Sequence, residues 1–94
     1  MRPGKKTLAI LDYAVANIVV SQMRHEGASG PEDVDWNEVR RVALRLIDDA
    51  GYGEKLRGAV VSVVGRRLGA LMVGEIDLER FILKAGALVI VDER

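Results

Sequence analysis

The chain has 94 residues, 49% of them hydrophobic, with fourteen basic and fourteen acidic side chains and a formal net charge of zero. That length is about one domain, and the charge balance removes the global positive field of a nucleic-acid coat protein. No cysteine is present, which excludes a disulfide framework, a thiolate zinc site and a cysteine nucleophile, and fits a reducing, cytoplasmic setting.

The aromatic residues are Trp36, Tyr13, Tyr52 and Phe81, so small aliphatic side chains must fill a thin core. Domains of this size gain stability by pairing, and an oligomer is expected on that ground alone. Arginine dominates the basic set, while Asn and Gln occur only at Asn17, Gln22 and Asn37, a bias of heat-adapted (thermophile) proteins. The basic start Met1–Lys6 precedes an apolar run, but Asp12 and Asn17 interrupt it. Neither a signal peptide nor a membrane span is expected there.

From Thr7 to about His25 a helix is expected, with Leu8, Leu11, Val15, Ile18, Val19 and Met23 on one face. Glycines and Pro31 then mark a loop running to Val34. The second helix starts at Trp36. Asp35 can accept from free backbone amides, Glu38 can reach back to the Asp35 amide, and Val34 with Val39 forms a hydrophobic staple. Val39, Val42, Ala43, Leu46, Ile47 and Ala50 make its buried stripe, and Gly51 supplies a left-handed stop.

Two readings compete for Glu54–Val73. As a helix it buries Leu56, Val60, Val63, Val64, Leu68 and Leu71, and sets Gly58, Ser62, Gly65 and Gly69 in a separate stripe of small residues. A glycine inside a helix costs roughly 1 kcal/mol against alanine, so these need a reason, such as the close approach of another helix. As a hairpin, Ala59–Val64 and Ala70–Val73 would be strands around Gly65–Gly69, which valine-rich runs favour. We take helix over hairpin. A short last helix, capped by Asp77, should run to Lys84 and break at Gly86, leaving Ala87–Val91 as a strand that joins the hairpin or pairs with its own copy, or else as a continuation of the helix.

The resulting fold class is mostly α: a compact domain of three or four helices spanning residues 1–94, with a C-terminal strand or small hairpin. The alternative is an α+β, winged-helix-like domain in which Arg66 and Arg67 sit at the tip of a wing.

Two charges fall inside apolar faces. On the helical wheel Asp12 lies between Val19 and Met23, and Arg67 between Leu56 and Val60. Unpaired burial is costly, so a buried pair of Asp12 with Arg67, or another opposite charge for each, is expected. Arg40, Arg41 and Arg45 on the second helix, with Arg57, Arg66 and Arg67 on the third segment, could contact phosphate through their forked donors. However, Glu38, Asp48 and Asp49 stand at intrahelical pairing distance, which reads as a salt-bridged surface. Ala70–Gly74 followed by Asp77–Lys84 has helix-turn-helix spacing, but Asp77 and Glu79 oppose phosphate at the second helix.

No motif demands a reaction. His25 is the only histidine and sits at a helix end, where it caps; Asp48 and Asp49 point about 100° apart. No catalytic residue, metal ligand or cofactor is assigned. The leading expectation is a non-catalytic protein-interaction or assembly module, a homo-oligomer built through Gly58, Ser62, Gly65 and Gly69 and helped by the apolar C-terminal segment. A DNA- or RNA-binding protein using the six arginines is the alternative, and no membrane partner is expected.

Overall fold

The computed structural model describes residues 2–27 and 30–92, with the side chains of Glu26 and of residues 87–92 outside the described set. Among these residues four helices follow in order, α1 (Lys5–Glu26), α2 (Trp36–Asp49), α3 (Glu54–Met72) and α4 (Leu78–Asp92), with a 3-10 turn over Pro31–Asp33. No strand occurs among the described residues. Helix α1 packs along α4 and α2, and α2 packs along α3.

Local chemistry sets most of the boundaries. Gly27 takes a left-handed conformation at φ 68° and returns its amide to the Met23 carbonyl, which ends α1. Pro31 opens the 3-10 turn, and the Trp36 indole N–H donates to the Pro31 carbonyl at 2.9 Å, tying that turn to the start of α2. Asp35 caps α2: its Oδ1 accepts from the Glu38 amide at 3.2 Å, an interaction worth about 1 kcal/mol. Glu38 does not complete the reciprocal box, because Arg41 takes its carboxylate instead. Gly51 is left-handed at φ 70° just beyond α2.

One cluster of buried side chains draws on all four helices. Leu11, Val15 and Val19 of α1 meet Val39, Ala43 and Ile47 of α2, Val60, Val64, Leu68 and Leu71 of α3, and Leu78 of α4. Each large member stabilises the fold by roughly 1.5–3 kcal/mol through the area it removes from water. Val34 is buried in the same cluster as Val39, consistent with a staple.

The structure bears out one expectation and corrects two. Glu54–Met72 is one continuous helix, as the preferred reading has it, and the alternative hairpin does not form. Valine propensity for strands loses because a helix places Val60, Val64, Leu68 and Leu71 on a single core-facing side, while neither Gly65 nor Gly69 adopts the positive φ that a tight turn would ask for. The chain turns later, at Gly74, whose φ is 82°. Second, Gly86 does not break α4, and the Ala87–Val91 backbone is helical, so no C-terminal strand and no wing form. Third, the buried stripe of α2 is narrower than its periodicity suggests. Val39, Ala43 and Ile47 are buried, but Leu46 is 47% exposed and Ala50 is exposed.

Candidate functional site

The outer side of α3 carries the small residues. Gly58, Ser62 and Gly65 are exposed and Gly69 is half-buried. A Cβ placed on Gly58, Gly65 or Gly69 would meet nothing within 4 Å. No neighbouring helix among the described residues therefore explains these glycines, which with Ser62 follow a spacing of four, three and four residues that keeps them in one line. Met72, three residues further on, extends the line and is 54% exposed; Val73 after it is 64% exposed. The surface is a strip of accessible backbone ending in a large, flexible apolar side chain. Its geometry admits another helix at short distance, since nothing larger than a serine hydroxymethyl stands in the way until Met72.

The arginines do not form one free cluster. Arg41 donates through Nε to Glu38 at 2.9 Å, with a second contact through Nη2. That hydrogen bond, reinforced by the charge of Arg41 and Arg45, holds the Glu38 carboxyl below its ordinary range, and Glu38 in turn raises the Arg41 guanidinium. Arg57 bridges from α3 to Asp48 of α2 at 2.7 Å. Both pairs are solvent-exposed, and such pairs contribute little to stability. Arg40, Arg45 and Arg66 are exposed and make no ion pair among the described residues.

Arg67 Nε donates to Asp12 Oδ1 at 2.9 Å, joining α3 to α1 across 55 positions of sequence. Asp12 and Arg67 retain 28% and 37% of their side-chain exposure, so the expectation of a buried charge pair is corrected to a half-buried one. The helical wheel places each charge within an apolar face, but it cannot show that the two faces meet at the edge of the core, where water still reaches the pair. No polar or charged residue is buried among the described residues. A double-mutant cycle with Asp12→Asn and Arg67→Gln should give a coupling of about 1 kcal/mol or less, read from denaturant unfolding. A coupling several times larger would mean that the pair is dry.

Periodicity missed a further apolar feature. A groove of about 240 Å³ runs between α1 and α2, floored by Val15 and Val64, with Ile10 (61% exposed) and Leu46 on its rims. The available signal was the surplus of large apolar residues on these helices over what one core stripe can hold. His25 is exposed in the last turn of α1, where positive charge complements the helix dipole. Among the described residues, no three His, Asp or Glu side chains stand close enough to hold one metal ion, and no helix is long and apolar enough to cross a membrane. Comparison with family models, with curated proteins and with solved structures yields no match for this chain.

Proposed function

We propose that this protein is a non-catalytic interaction or assembly module that self-associates through the outer face of α3. The observation that carries the reading is the line Gly58, Ser62, Gly65 and Gly69, whose glycines face open space where a Cβ would stand, among the described residues. The three glycines of α3, Gly58, Gly65 and Gly69, together cost roughly 3 kcal/mol of helix propensity relative to alanine. A second helix crossing at short range offsets that cost, because backbone-to-backbone contact gains dispersion that a larger side chain would prevent. Exposed Met72 supplies an adaptable apolar contact at one end of the same line.

The test is the solution mass of the wild type and of Gly65→Leu, measured by light scattering or sedimentation across a range of concentrations. A wild-type multimer that Gly65→Leu reduces to single chains supports the reading; a multimer unchanged by Gly65→Leu, or a wild type that stays monomeric, sinks it.

Binding of DNA or RNA is the second reading, and it rests on exposed Arg40, Arg45 and Arg66. It loses ground because Arg41, Arg57 and Arg67 are each held by a carboxylate, which reduces the number of phosphates the protein can neutralise. Labelled random oligonucleotides titrated at low salt are expected to show no micromolar complex. Micromolar binding that weakens steeply with salt would reverse the order of the two readings.

A further inference from the structure

A wider groove, of about 670 Å³, lies between the end of α1, the turn at Pro31, the loop over residues 73–77 and α4. Its floor is apolar. Leu78 is buried, and Met23, Ile76 and Ile82 are half-buried around it. Leu83 forms the outer wall and is 65% exposed. Neither Met72 nor any glycine of α3 lines this groove, so it is separate from the association face.

The charge beside that floor is negative. Asp77 and Glu79 line the groove, and no lysine, arginine or histidine among the described residues does. Glu32 brings a third carboxylate to the edge: a Cβ on Gly30, which lines the groove, would stand 2.8 Å from Glu32 Oε1. None of the three makes an ion pair among the described residues. Asp77 caps α4, its Oδ1 accepting from the Glu79 amide at 3.2 Å and its carbonyl from the Phe81 amide at 2.9 Å; these bonds fix the side chain and leave its charge. Arg80 and Lys84 line the groove on the other side of α4, and Asp77 is common to both grooves. Arg24 and His25, at the end of α1, are exposed and line neither. Even with Asp77 assigned wholly to the cations across the helix, Glu79 and Glu32 outweigh the roughly half positive charge of the α4 amino end.

We propose that this groove binds a primary amine with a hydrocarbon or aromatic body, the ammonium at Glu79, Asp77 and Glu32 and the body over Ile76, Ile82 and Leu83. An anion would be repelled by both charged side chains that line the groove. A neutral apolar molecule would cover the floor but take water from the carboxylates and give them no partner. A bare metal cation would leave the floor wet, and no three His, Asp or Glu side chains among the described residues stand close enough to hold one. A primary ammonium meets both requirements: its three donors can be shared among separate carboxylates, and its body removes the floor from water.

Phenethylamine, protonated at neutral pH, is the probe, titrated into the full chain at low ionic strength and followed by amide chemical shifts. Phenethyl alcohol is its uncharged counterpart, phenylpropanoate its anionic one, and ethylamine carries the charge without the ring. Phenethylamine is expected to saturate in the millimolar range or tighter, with shifts centred on Glu79 and Leu83, and to weaken as salt is raised. Each of the three comparators should bind at least about fivefold more weakly, as loss of a charge-assisted contact or of the covered ring implies. The double variant Asp77→Asn with Glu79→Gln removes both lining charges, and asparagine caps a helix as well as aspartate does, so α4 keeps its start while phenethylamine weakens at least about fivefold. Leu83→Asn, at an exposed wall position that plays no part in the cap, should weaken it by a similar factor. Phenethyl alcohol binding as tightly as phenethylamine, shifts centred elsewhere, an absence of saturation, or unchanged affinity in either variant would each overturn the assignment.

Discussion

Leu71→Ala is expected to lower the unfolding free energy by about 2–5 kcal/mol, the range for deleting most of a large side chain from a closed core. Leu71 has 0% exposure in the last turns of α3, where the chain turns back through Gly74, whose amide donates to the Leu71 carbonyl at 3.3 Å. The cavity would open in the one core to which all four helices contribute. A domain of this length shifts its midpoint by roughly 4–8 °C per kcal/mol, so thermal unfolding should move by roughly 8 °C or more. Met72→Ala, the neighbouring substitution at a 54% exposed position, should change stability by no more than about 0.5 kcal/mol. Equal effects at the two positions would show that α3 is rotated about its axis relative to the described packing.

Gly65 divides in the opposite way between folding and association. A Cβ at this position meets nothing within 4 Å and the backbone has an ordinary helical φ. Gly65→Ala should therefore raise the stability of the isolated chain by up to about 1 kcal/mol, through a better helix propensity and a less flexible unfolded state. Gly65→Leu gains a similar propensity, and its Cβ meets nothing within 4 Å among the described residues. In a close helix pair, however, the isobutyl group stands where the partner backbone must come, and the association constant should collapse. The expected combination is an unchanged or raised unfolding midpoint at low protein concentration together with loss of the multimer. A Gly65→Leu chain that unfolds more readily while remaining multimeric would mean that the glycine serves the fold and not the contact.

Several features were legible in the sequence because short-range chemistry decides them. Asp35 before an amphipathic run, Gly51 after it, and the α1 face of Leu11, Val15 and Val19 depend on groups within a few residues of one another. The same holds for the requirement that Asp12 and Arg67 each find an opposite charge, because an unpaired charge in an apolar face is costly wherever it lies. The register of α3 was less legible: valine-rich segments satisfy strand propensity and helical periodicity at once.

What the tertiary structure alone decided are the matters that depend on partners distant in sequence. Packing against α1 and α2 settles α3 as a helix, because only a helix turns Val60, Val64, Leu68 and Leu71 to one side. It carries α4 through Gly86, where local propensity predicts a break. It leaves Leu46 on a groove rim although the α2 wheel assigns it to the core, since the buried width of a helix is set by how many neighbours it has. It also places Asp12 and Arg67 at the rim of the core, close enough to pair and still reached by water. By itself the sequence determined which groups need partners; the depth, the register and the neighbours came from the packing of the helices, because the hydrophobic effect acts on surfaces that exist only after the chain has folded.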